Sequence, residues 1–104
     1  MMTIEKKTTL IRLFSLYQNL LTDTQKHYFK AYVEDDFSLK EIADAFNVSR
    51  SAVYDQIHKI EQHLLNYEEK LHLLEDSEKR LKIIEEFKKT NDINVLEKLR
   101  KMDE

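Results

Sequence analysis

The residues best placed to meet a ligand lie in one short stretch, Ser49-Arg50-Ser51-Ala52-Val53-Tyr54-Asp55-Gln56-Ile57-His58-Lys59. At helical spacing Val53 and Ile57 share one face, and Ser51, Tyr54, Asp55 and His58 share the opposite one. The chemistry these side chains offer is recognition. The Arg50 guanidinium can reach a phosphate or a guanine edge. The Ser49 and Ser51 hydroxyls can bond phosphate oxygens. Tyr54 can pack on a sugar or a thymine methyl, and His58 and Lys59 extend the surface. Asp55 stands among them with a charge that repels phosphate. Ser49, Arg50, Ser51, Tyr54, Asp55, His58 and Lys59 are the candidate nucleic-acid-binding residues.

Catalytic and metal chemistry find less to work with. His27, His58, His63 and His72 are the only imidazoles, and the chain has no Cys. No two of these histidines stand four residues apart, and His58 and His63 fall on different helix faces. Carboxylates are plentiful, but they alternate with Lys and Arg as on a solvated helix face. A catalytic pair needs a concave pocket around it. There is no phosphate-binding Gly loop, because there is no Gly, and no nucleophile motif. The expectation is a non-enzyme with no cofactor and no metal.

The stretch needs a scaffold, and residues 37–61 supply the parts of a helix-turn-helix. Ala43 is the small residue such a corner needs where its helices cross. Asn47 suits the left-handed turn position usually given to Gly. Val48 is the apolar plug after the turn. Ile42 with Phe46, and Val53 with Ile57, close the corner, and Ser49 caps the second helix. In this motif the second helix enters the major groove with its first turns facing bases and phosphates. Such corners also serve as protein-binding or purely structural units.

The remaining elements read as helices. A chain without Gly or Pro has little material for tight β-turns. The first helix spans about residues 4–21, with Ile4, Leu10, Ile11, Phe14, Tyr17 and Leu21 inward and Leu13, Leu16 and Leu20 widening the stripe. Thr22-Asp23-Thr24-Gln25 and Ser38-Leu39-Lys40-Glu41 fit capping boxes that open the second and third helices. Tyr28, Phe29, Tyr32 and Val33 supply core, and Glu34-Asp35-Asp36 marks a helix end, where the dipole disfavours anions. In the third helix Leu39, Ile42, Ala43 and Phe46 face inward. The fourth helix runs from residue 50 to about 75, with a heptad seam of Val53, Ile57, Ile60, Leu64, Tyr67, Leu71 and Leu74. Asp76 or Ser77 breaks it. A fifth helix turns Leu81, Ile84 and Phe87 inward. Thr90-Asn91-Asp92 forms a joint, and a last helix carries Ile93, Leu96, Leu99 and Met102. The expected architecture is a single all-α domain over residues 1–104, with the helix-turn-helix at 37–61 and a helical extension at 62–104.

Charge limits what the corner can do. The formal net charge is −3, whereas a dedicated nucleic-acid binder usually presents a strongly basic face. Lys6, Lys7 and Arg12 outweigh Glu5, and Lys79, Arg80, Lys82, Lys88 and Lys89 outweigh Glu78, Glu85 and Glu86. Between them Glu61, Glu68, Glu69, Glu75 and Asp76 face only Lys70. Any nucleic-acid surface must be local. Residues 1–10 lack the apolar core of a signal peptide, and no stretch reaches membrane-spanning length. A cytoplasmic protein without membrane insertion is expected. The wide stripe of the first helix and the length of the fourth suggest a homodimer.

The runs Phe37-Ser38-Leu39-Lys40-Glu41-Ile42-Ala43 and Val48-Ser49-Arg50-Ser51-Ala52-Val53-Tyr54-Asp55 resemble the YlxM family of firmicutes and mycoplasmas. So do Leu16-Tyr17-Gln18-Asn19-Leu20-Leu21-Thr22 and Tyr67-Glu68-Glu69-Lys70-Leu71. The resemblance covers about residues 5–75. It implies a helix-turn-helix similar to region 4 of sigma factors, in the winged-helix-like class of DNA-binding corners. It also implies a regulatory or accessory role in the signal recognition particle pathway, through gene neighbourhood with the particle's GTPase and its receptor. The partners it suggests are DNA or RNA, and components of the particle.

Overall fold

The computed structural model describes residues 2–104, and among these it contains helices and no strand. The chain divides into two compact units, one up to Leu71 and the other His72–Glu104. The first unit is built from α1 (Ile4–Tyr17), α2 (Asp23–Phe29), α3 (Leu39–Phe46) and α4 (Arg50–Leu71).

Local chemistry sets the helix starts. Thr3 Oγ1 accepts from the Lys6 amide at 3.1 Å and opens α1. Thr22 and Ser38 form the two expected capping boxes. Their hydroxyls accept from the Gln25 and Glu41 amides, and the Gln25 and Glu41 side chains accept from the Thr22 and Ser38 amides. α1 is shorter than the expected 4–21: after Tyr17 the chain tightens into a 3₁₀ turn, Gln18–Leu20. α2 widens into a π-helical turn, Lys30–Glu34, closed by Asp35 N–H donating to the Lys30 carbonyl at 2.9 Å. The acidic run then ends the helix as expected. Asp36 takes a left-handed φ of 56°, and its carboxylate accepts from Lys7 Nζ at 2.6 Å.

The core of this unit collects Leu10, Leu13, Phe14 and Tyr17 of α1, Tyr28 and Phe29 of α2, Val33, Ile42 and Ala43 of α3, and Val53, Ile57, Ile60 and Leu64 of α4. Full burial of each larger side chain contributes about 1.5–3 kcal/mol. Aromatic rings lock the helices together: Phe14 stacks on Phe29, and Tyr28 on Phe46, each with centroids 4.4 Å apart. At the far end of α4, buried Tyr17 donates its hydroxyl to Glu68 Oε1 at 2.6 Å.

Several apolar positions differ from their expected places. Ile4 is 84% exposed: it lies in the first turn of α1, at the edge of a shallow concavity with Tyr32, Val33 and Phe37 that leaves its side chain mostly uncovered. Leu16 and Leu20 are exposed as well, so the widened stripe is only partly covered. The α4 seam is buried from Val53 to Leu64, half-covered at Tyr67 and exposed at Leu71. α4 ends at Leu71, short of the expected 75, because His72 turns left-handed at φ 56°.

The second unit holds α5 (Leu73–Thr90), a 3₁₀ turn at Ile93–Leu96 and α6 (Glu97–Met102). Asn91 is left-handed at φ 52° and reverses the chain, and Asp92 caps the turn through the Asn94 amide. The returning segment packs back on α5, with Lys98 Nζ paired to Glu86 at 3.0 Å. Ile83 and Phe87 of α5 are half-covered and Val95 is buried. Leu81 and Ile84, expected inward, are exposed, and so is Ile93. The unit is too short to enclose more than one face of α5.

Candidate nucleic-acid interface

The corner forms as its residue types require. Asn47 lies at φ 57°, ψ 47°, in the left-handed region. The Val48 amide donates to the Ala43 carbonyl at 3.0 Å, and the Asn47 amide to the Asp44 carbonyl at 3.4 Å, a Schellman-type ending for α3. Ala43 is buried at the crossing of α3 and α4. Val48 is 41% exposed, so it is only a partial plug. Its backbone closes the turn while its side chain stays at the rim. Ser49 Oγ accepts from the Ala52 amide at 3.1 Å and caps α4. With no strand among the described residues, no wing flanks this corner.

All the candidate residues, Ser49, Arg50, Ser51, Tyr54, Asp55, His58 and Lys59, are exposed along the outer side of α4. Ser51, Tyr54, Asp55 and His58 turn away from the buried seam of Val53, Ile57 and Ile60, while Arg50, three residues before Val53, is exposed because it lies in the helix's first turn. Ser49 has its oxygen committed to the cap, which leaves its hydroxyl proton free to donate. The amides of the first turn of α4 face outward at the positive end of the helix dipole. Arg50 and Lys59 form no ion pair among the described residues, and neither does Asp55, so each presents its full charge. The rings of Tyr54 and His58 lie parallel, 6° between planes and 6.2 Å between centroids, one turn apart.

Two concave surfaces meet at Tyr54. A shallow one, about 320 Å³, is bounded by Leu39, Arg50, Ser51, Tyr54 and Asp55. A larger groove, about 540 Å³, runs from Tyr54 and His58 past Gln62 and Leu65 toward the start of α1. The Lys6–Glu61 ion pair, 3.4 Å, stands in its wall. Sequence reading missed Leu39 and Gln62 as members of this surface. Gln62 follows His58 by four residues, and that spacing could have found it. Leu39 belongs to α3, and only the tertiary crossing brings it beside Arg50. It is half-covered, not fully inward.

Among the described residues no Asp, Glu, His, Lys or Arg side chain is buried. No grouping of three His, Asp or Glu among them could hold a metal ion. No helix among them is long and apolar enough to cross a membrane.

Comparison with known proteins places this corner in context. Residues 4–103 match the family model described as "Putative helix-turn-helix protein, YlxM / p13 like". The chain is 48% identical over 106 residues to a UPF0122 protein of Bacillus licheniformis, covering 94% of this chain and 99% of that protein. It is 45% identical over 100 residues to a UPF0122 protein of Oceanobacillus iheyensis, covering 95% of each. A UPF0122 protein of Mycoplasma capricolum subsp. capricolum is 46% identical over 91 residues, or 88% of this chain and 80% of that protein. With a match that extends over nearly its whole length, and with the corner the family is described by, the chain belongs to the YlxM/p13-like helix-turn-helix family.

Proposed function

We propose that this protein is a non-catalytic regulatory module that contacts nucleic acid through the exposed side of α4. The observation that supports this reading is the exposed cation Arg50 with its neighbouring hydroxyls at the start of that helix, and a second exposed cation, Lys59, further along it. Among the described residues Arg50 and Lys59 have no carboxylate partner; Ser49, Ser51 and the first amides of α4 lie beside Arg50, and Lys59 stands about 13 Å further along the helix. A phosphate approaching from outside meets donors and positive potential first. With two unpaired cations and one opposing carboxylate, the contact is weak and salt-sensitive. Mobility shift with total cellular DNA and RNA, beside the purified signal recognition particle RNA, tests it at low ionic strength. Retardation that Arg50→Ala reduces is the expected result. No retardation of any of these, or retardation indifferent to Arg50→Ala, would overturn the reading.

A second reading rests on Asp55. An unpaired carboxylate in the middle of the presumed recognition face, on a chain of net charge −3, suits a protein surface better than a phosphate backbone. In that reading the chain is a cytoplasmic accessory factor that binds the GTPase of the signal recognition particle, or its RNA. Calorimetry with the GTPase, with and without its RNA, separates the two. Binding that needs no RNA and ignores Arg50→Ala would favour protein contact.

A further inference from the structure

The fifth helix carries two apolar faces, and in its middle turns the fold covers one of them. Ile83 and Phe87, four residues apart, lie on the side where the returning segment packs, and Lys98 reaches Glu86 on the same side. Leu81 and Ile84 point elsewhere. They are 51% and 38% exposed in the middle of an 18-residue helix. The only residues buried in this unit are Leu74 and Val95.

Ser77, Leu81, Ile84 and Lys88 follow the 4-3-4 spacing of a coiled-coil seam, with Leu81 and Lys88 at a and Ser77 and Ile84 at d, while Leu74, at the preceding a position, is already buried within the chain. Arg80 then falls at g, and Glu78 and Glu85 fall at e. Arg80 has no carboxylate partner among the described residues. Glu85 is held only by an exposed Lys88 at 3.4 Å.

We infer that α5 pairs with α5 of a second copy of this chain, in parallel and in register, through Leu81 and Ile84. The flanking charges decide both partner and direction. In a parallel pair, g of one helix meets e of the other five residues on, so Arg80 meets Glu85 of the partner subunit, twice by symmetry. An antiparallel pair would instead set Glu78 against Glu85 of the partner subunit, also twice. Ser77 and Lys88 bound the apolar stretch, so the seam is short and the dimer is a dissociating one. This moves the expected homodimer contact from α1 and α4 to α5, and it does not depend on nucleic-acid binding.

Sedimentation equilibrium over a concentration series, with far-ultraviolet circular dichroism as the control for folding, tests the contact. The wild type should dimerise reversibly. Leu81→Glu with Ile84→Glu should stay monomeric at unchanged helicity. Arg80→Glu should weaken the dimer roughly tenfold, and adding Glu85→Arg should restore it. The absence of cysteine gives a direct reading of direction: Ile84→Cys alone should oxidise to a disulfide-linked dimer, since equal d positions meet only in a parallel pair. A wild type that stays monomeric without cross-linking through Ile84→Cys would overturn the inference. So would a dimer that survives Leu81→Glu with Ile84→Glu, or cross-linking that needs Leu81→Cys in one copy and Ile84→Cys in the other.

Discussion

At φ 57° and ψ 47°, Asn47 holds a conformation in which a Cβ normally crowds the following carbonyl. Glycine escapes that crowding and asparagine tolerates it, whereas a β-branched side chain does neither. Asn47→Gly should therefore leave stability unchanged or slightly raised in urea unfolding. Asn47→Val should lower it by about 1–2 kcal/mol. The caps make a parallel case. Ser38 Oγ accepts from the Glu41 amide at 3.1 Å, so Ser38→Ala should lose about 1 kcal/mol by the same measurement. Such features are readable in sequence because their partners lie three or four residues away: Asn47, Thr22, Ser38 and Ser49 all occupy their expected positions. Side chains whose burial depends on distant partners were harder to place. Ile4 and Val48 are apolar and at the right spacing, yet Ile4 stays mostly exposed at the edge of a concavity with Tyr32 and Phe37, and Val48 stays half out at the rim.

At the scale of elements, α4 does two jobs on opposite sides. Val53, Ile57, Ile60 and Leu64 bind it to α1, α2 and α3, and the outer side carries the candidate contact residues. Its far end is tied to α1 by the Tyr17–Glu68 hydrogen bond. Tyr17→Phe removes a charge-assisted bond at a buried ring and should cost about 1.5–3 kcal/mol in thermal or urea unfolding, without altering nucleic-acid contact. The end of α4 was the least readable boundary in the chain. The heptad seam continues into Leu74 by spacing, and Leu71-His72-Leu73 contains neither Gly, Pro nor Asn to signal a break. His72 nevertheless turns left-handed, which His does more readily than most residues. In α5 the same apolar periodicity predicts an inward face. Periodicity marks which residues share a face and is silent on whether anything covers it, so Leu81 and Ile84, inward by spacing, are exposed.

At the scale of the whole molecule, charge governs how the helix-turn-helix can be used. The chain is acidic overall, its basic residues are scattered, and the presumed recognition face carries Asp55 between Arg50 and Lys59. Removing that opposing charge should help: Asp55→Asn is expected to strengthen nucleic-acid binding severalfold at low salt, with the gain shrinking as salt rises. A protein partner gripping Asp55 would show the reverse. The central claim, contact with phosphate through the start of α4, is tested most directly by fluorescence anisotropy on labelled nucleic acid across a salt series, comparing the wild type with Arg50→Ala. Binding should weaken linearly on a log–log plot against salt, and Arg50→Ala should lower affinity and reduce the slope by about one. An unchanged slope and affinity in Arg50→Ala, or no binding by the wild type at the lowest salt, would contradict it.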